Sequence, residues 1–324
     1  MRIKQFIKIQ NSKKKLFTPG PGSLIEENIL GIEPCFGRND QKYEKVENFV
    51  LRKIKSLSGQ NKIVRLQGSA SLALEISILN FVKGNILVVD SGFYSERLKT
   101  MCKNAKINFK KIKNIESTSW KKIDKIKKKF DWIISCVTET SIGIKIPIKE
   151  LNDLKKRCKS KLFLDATASI GLEEGHRYGD VVSFSSCKGL LGLTGASFIC
   201  YSMKPHNNIK SFYLDIKNHE NKLMTGPYHT IGSLYLVLKN FQKFKSAVKI
   251  NKKMFLKKFG YLSPYQKKYQ PLLCTYINKK VSPLNKKVIL YKPRINLTGS
   301  VVCHLGEVHL KDKAKGKIIK NLVF

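Results

Sequence analysis

The sequence predicts an α/β protein: a mostly parallel, seven-stranded sheet flanked by helices, with a smaller α/β unit at the C-terminus. Three observations lead there. Seven short apolar runs recur between residues 62 and 202. Stretches of helical periodicity separate most of them. Small and polar residues close several runs, as expected where strand ends meet a ligand in a doubly wound sheet.

The elements follow in order. KIVRLQ (62–67) reads as a strand, and SLALEISILNFV after it fits a buried helix with its start near Ser71. NILVVD (85–90) is the second strand and SERLKTMCKN its helix. INFKKI (107–112) is read as the third strand, with the amphipathic SWKKIDKIKKKF as the helix behind it. DWIISCV (131–137) is followed by the helical IKELNDLKKRCK, and KLFLD (161–165), VVSFS (181–185) and ASFICYS (196–202) complete the set. From about 228 to 258 the pattern predicts one long helix or two in series, leading to the small unit.

The bulk numbers set limits. With 324 residues and 42% hydrophobic content, the chain can bury a large core. No run approaches the roughly 20 apolar residues needed to cross a bilayer. The basic N-terminus MRIKQFIKIQNSKKKLF lacks the apolar core of a signal peptide. The eight cysteines (35, 102, 136, 158, 187, 200, 274 and 303) form no CxxC, and several sit in apolar runs. They are expected to be buried thiols in a cytoplasmic protein. The formal charge of +39 raises nucleic acid as a partner, yet only eight of the 62 basic residues are arginine and the lysines are spread along the whole chain. That composition favours a solvated lysine surface, which steers anions towards the protein, over a nucleic-acid groove.

The chemistry concentrates at the strand ends. LQGSAS places Ser69, Ala70 and Ser71 where a helix begins, and free amides with a positive dipole end form a phosphate cradle there. A serine-rich helix start also serves as a plain N-cap. Asp165 ends an apolar run, and Lys188 stands alone among small residues in SFSSCKGLLGLTGASF. Taken singly, these are a turn cap and a loop lysine. Together they match what pyridoxal phosphate needs: an amine to hold it as a Schiff base and a carboxylate to keep its pyridine nitrogen protonated. Tyr94 offers an aromatic face. No metal site is expected, because the six histidines show no HExxH and no cluster with cysteine.

Six segments in order resemble the class V, fold type I aminotransferases that use pyridoxal phosphate: LFTPGP, LQGSAS, SGFYSER, TETSIGIKIPI, LFLDATAS and SSCKGLLGLTGASF. The likeness runs from residue 16 to HLGEV at 304–308 and is closest to 2-aminoethylphosphonate–pyruvate transaminases. It implies an N-terminal segment (1–30) reaching the active site, a large cofactor-binding domain (31–240) and a small C-terminal domain (241–324). It implies Lys188 as the cofactor anchor and proton carrier, and Asp165 as partner of the pyridine nitrogen. Ser69, Ala70 and Ser71 would hold the phosphate, Tyr94 would stack on the ring, and Thr140 would lie beside it. Ser186 or Cys187 would reach the phosphate or ring. TGPYHT resembles the segment that enters a partner subunit's site, which implies a homodimer with Thr225 on the partner's phosphate. The family's carboxylate-binding arginine has no counterpart: Val301 stands at its place, and Arg294, seven residues earlier, is either its substitute in substrate binding or a solvated loop arginine. Transamination with a small amino donor and a 2-oxo acid is the leading expectation. A lyase or decarboxylase, or an inactive basic binding protein of the same fold, are the alternatives.

Overall fold

The computed structural model describes all residues except 1, 23, 33–36, 38, 207 and 311–315; Cys35 lies outside the described residues. Seven strands form the central sheet: β1 (Lys62–Gln67), β2 (Gly84–Asp90), β3 (Ile112–Ser119), β4 (Trp132–Cys136), β5 (Lys161–Asp165), β6 (Val181–Ser185) and β7 (Ala196–Tyr201). Their order is β1-β7-β6-β5-β4-β2-β3, with only β7 antiparallel to its neighbours. The helices are α1 (Ile3–Lys13), α2 (Gln41–Ser58), α3 (Ala70–Phe81), α4 (Phe93–Phe109), α5 (Ile148–Cys158), α6 (Tyr228–Lys239) and α7 (Phe241–Phe259), with further short helices at Glu26–Leu30 and Ile216–Glu220.

Alternation along the strands supplies two cores. Leu87 and Val89 of β2 pack with Ile54 of α2 and Leu151 of α5. Ile86 and Val88 face the opposite side, against Leu74 of α3 and Leu98 of α4. Helix α3 is apolar nearly all round because sheet and neighbouring helices cover it. Asp40 caps α2 by accepting from the amides of Lys42 and Tyr43, and Gly59 ends it in the left-handed region at φ 68°.

Two sequence expectations shift. The third strand is not 107–112: α4 runs through Phe109, and the strand occupies Ile112–Ser119. Parallel pairing with β2 outweighs the polar look of KNIESTS. The expected helix after it is only a 3-10 turn, Trp120–Lys125, because six lysines in 121–130 leave little apolar face to bury. The long C-terminal helical pattern is two helices, broken at Asn240. Beyond them, β8 (Cys274–Ile277) and β9 (Ser300–Cys303) pair antiparallel, and their side chains share a core with Ala168, Leu172 and Val237 of the larger unit.

Candidate functional site

The carboxyl ends of β1, β4, β5 and β6 deliver Gly68, Val137, Ala166 and Ser186 to one edge of the sheet. Asp165 is the last residue of β5 and is buried. Its Oδ1 accepts from the Thr167 amide at 3.0 Å and from the Thr167 hydroxyl. That leaves Oδ2, which faces Nη2 of Arg97 at 3.7 Å.

Lys188 follows β6 in a tight loop. Its Nζ stands 4.8 Å from the ring centroid of Tyr94, and the Arg97 guanidinium lies 4.9 Å from the same ring. Arg97 also donates to Ser71 Oγ at 3.2 Å, while its buried Nε has no hydrogen-bond partner among the described residues. The loop is crowded on its far side: a Cβ on Gly189 would meet Ile170 O at 2.3 Å. Gly20, at φ 119°, brings the N-terminal segment onto the loop; a Cβ there would lie 2.3 Å from Cys187 O and 2.9 Å from Lys188 Cα. Only glycine permits that approach.

Tyr94 is held in place by a buried acid. Glu139 Oε2 accepts from the amides of Tyr94 (3.0 Å) and Ser95 (3.2 Å), and Oε1 accepts from the amide of Ser141 (3.2 Å) and from its hydroxyl. Burial holds the Glu139 carboxyl above the usual carboxylate range, and these hydrogen bonds offset only part of that rise. The Cys136 thiol reports the local field: burial pushes it up, followed by Asp165 and Glu139, while Arg97 and Lys188 draw it down. All four charges therefore act on one thiol at the end of β4.

The remaining expected residues divide. Ser69, Ala70 and Ser71 sit at the N-terminus of α3, and Ser69 O accepts from the amides of Leu72 and Ala73. The three preceding amides lie ahead of the first helical acceptor. Thr140 Oγ1 is 3.5 Å from the hydroxyl of Tyr291, whose phenol is raised by burial. Ser186 is turned inward, donating to Leu193 O and Ala196 O, so its hydroxyl braces the lysine loop; Cys187 is the more accessible neighbour. Thr225 is exposed and shares a small surface cleft with Arg65 and Gln67. Arg294 is exposed, with its guanidinium 5.6 Å from the Phe93 ring, and Phe93 meets Tyr94 edge-on at 5.3 Å. Val301 is core, opposite Tyr276 in β8.

Arg97, Glu139 and Tyr291 were not singled out in the sequence. The first had a signal, since it follows Tyr94 by three residues and shares its helical face. Glu139 had a weaker one, as an acid directly before Thr140 at the end of an apolar run. Tyr291 had none, because it arrives from another unit.

An amine over an aromatic face, a buried carboxylate with one oxygen that has no hydrogen bond among the described residues and only Arg97 at 3.7 Å, and amides at a helix start are what pyridoxal phosphate requires, so the residues fit the group.

Comparison with known proteins agrees. The family described as aminotransferase class-V matches residues 35–224, more than half of the chain. A bifunctional phosphonoacetaldehyde hydrolase/aminoethylphosphonate transaminase of Clostridioides difficile (strain 630) is 27% identical over 260 residues, 72% of this chain and 41% of that protein. The chain thus spans less than half of that relative's length. A 2-aminoethylphosphonate–pyruvate transaminase of Pseudomonas putida (strain W619) is 26% identical over 249 residues, 69% of this chain and 67% of that one. The solved aspartate aminotransferase of subgroup IV from Thermus thermophilus shares the fold, with a TM-score of 0.77 at 18% identity, covering 94% of this chain and 96% of its own. With the fold and the family in agreement, this chain belongs to the class V aminotransferases, a family whose cofactor is pyridoxal phosphate.

Proposed function

We propose that this transaminase moves the amino group of 2-aminoethylphosphonate, or of a similarly small amine or amino acid, to a 2-oxo acid such as pyruvate. The observation that carries the assignment of roles is the position of Lys188, whose amine stands over Tyr94 beside the strand ends bearing Asp165. When bound, pyridoxal phosphate supplies an electron sink for bond cleavage at the donor carbon that carries nitrogen.

In this reading Lys188 anchors the cofactor and, once displaced by the donor amine, carries the proton lost from that carbon. Asp165 holds a proton on the pyridine nitrogen through Oδ2, its Oδ1 being engaged by Thr167. The amides of Ser69, Ala70 and Ser71 receive the phosphate, and Tyr94 backs the ring with Thr140 beside it. The segment 1–30 closes one side over Gly20, and the unit 241–324 brings Tyr291 and Arg294. Thr225 serves the site of a second subunit in a homodimer.

The choice of donor is supported by what surrounds Val301. Its place in the core leaves no cation there to clamp a carboxylate on the reacting carbon. 2-Aminoethylphosphonate has no such carboxylate, its anion sitting one carbon further on; Arg294, an exposed cation beside Phe93, is then the group that meets the phosphonate of the donor and the carboxylate of the 2-oxo acid in turn.

The test is a half-reaction with cofactor-loaded enzyme and no 2-oxo acid. Stoichiometric pyridoxamine phosphate with 2-aminoethylphosphonate, and much slower conversion with serine, is the expected result. Donor consumption with catalytic turnover and no pyridoxamine phosphate would instead identify a lyase or decarboxylase.

A further inference from the structure

A second concavity, of about 800 Å³, opens between the start of α5, the loop after Ile170, the exposed face of α7 and the turn at Lys267–Tyr269. Of the residues named at the Lys188 site, Val137 alone also lines it, and none of the charged ones does. Lysine fills eight of its 18 lining positions, against 54 of 324 in the chain, so the enrichment exceeds the general lysine bias.

Two of these lysines are neutralised: Lys145 pairs with Glu173 at 2.6 Å and Lys268 with Glu150 at 2.9 Å. The other six, Lys149, Lys245, Lys249, Lys252, Lys253 and Lys267, form no ion pair with any described acid. Four of them come from α7 at spacings of four, three and one, which puts them on one helical face. Lys252 is the deepest, donating to the carbonyls of Gln270 (3.1 Å) and Pro271 (2.7 Å). Burial draws its ammonium down to about 8, with Glu173 pulling the other way. The floor is apolar, built from Ile146, Ile148, Leu172 and Leu272.

Like charges gathered in one concavity repel one another, and low-dielectric walls focus their field outward. A ligand with several closely spaced negative groups relieves that repulsion at many points together, whereas a single anion meets only one or two lysines. Lysine binds phosphate as a point charge, without the fixed bidentate geometry of arginine. The volume lies within the range of small-molecule sites. We propose that this basin binds a small molecule carrying three or more phosphate groups, either free polyphosphate or a nucleoside polyphosphate.

Titration calorimetry on the full chain loaded with pyridoxal phosphate tests it, because the loaded cofactor fills the phosphate cradle of the active site. The probes are inorganic tripolyphosphate, ATP without magnesium and orthophosphate. The expected result is one site per chain for the first two, with orthophosphate at least about tenfold weaker. ATP tighter than tripolyphosphate identifies the nucleoside as part of the ligand, and equal affinity identifies the phosphate chain alone. The double variant Lys249→Gln/Lys253→Gln should weaken binding at least about tenfold. Lys103→Gln/Lys106→Gln, which removes the same charge from exposed positions on α4, should leave it within about twofold. Thermal melts check that both variants fold. Equal weakening by the two pairs would reduce the effect to diffuse surface charge and overturn the site. So would non-saturable binding, or duplex DNA that displaces tripolyphosphate with higher affinity.

Discussion

Lys188 keeps its amine 4.8 Å from the Tyr94 ring, in a loop that Gly20 and Gly189 allow to pack tightly on two sides. If that amine is the covalent anchor, borohydride reduction of the loaded wild-type protein should fix the cofactor to a peptide containing Lys188. Lys188→Ala should carry no such adduct and should lose at least about a thousandfold in half-reaction rate, as read by peptide mass spectrometry and single-turnover spectroscopy. Arg294 has a different place, exposed with its guanidinium 5.6 Å from the Phe93 ring. A residue that only grips the anionic end of the donor contributes equally to ground and transition states. Arg294→Ala should therefore raise KM for 2-aminoethylphosphonate by about tenfold with kcat nearly unchanged; a fall in kcat with KM constant would assign Arg294 to the chemistry instead.

At the scale of elements, the sheet and its order of use were legible in the sequence because buried parallel strands are short apolar runs bounded by small residues. Six of the seven strands lie where KIVRLQ, NILVVD and their successors indicate. The exception, Ile112–Ser119, is an edge strand exposed along much of its length, so pairing rather than hydrophobicity defines it. The candidate site was legible for the same reason in part: Asp165, Lys188 and Tyr94 stand out locally, while Glu139 acts through backbone amides that no side-chain pattern advertises. Glu139 joins the turn after β4 to the first turn of α4. Glu139→Gln keeps the shape but replaces an acceptor oxygen with a donor that faces amides. It should cost about 1–3 kcal/mol and loosen Tyr94, seen as a lower melting temperature together with weaker cofactor retention on dialysis. A melting loss with unchanged retention would confine Glu139 to stability.

Across the whole molecule, charge and burial set the pH and salt response. Glu307 is buried near the C-terminus, and neither carboxylate oxygen has a hydrogen-bond partner among the described residues. The amides of Lys317 and Ile318 face it and draw it down, but burial is the larger influence and raises it to about 8. For an acid raised on folding, the folded state holds its proton more tightly than the unfolded chain does. The group therefore costs nothing below the unfolded value near 4.5, and stability falls as pH rises from there towards about 8. Glu307→Gln removes the ionisation and should melt above wild type at pH 9, with the difference shrinking to near zero at pH 4. The net charge of +39 adds a second, opposite-signed lever. Self-repulsion among surface lysines is screened once the Debye length falls to about 8 Å at physiological ionic strength. Raising salt from low to physiological levels should therefore raise the melting temperature of wild type and Glu307→Gln alike, because the buried carboxyl is shielded from the ions that screen the surface. A salt effect that disappears in Glu307→Gln would place the dominant charge strain at that single carboxyl rather than in the lysine surface.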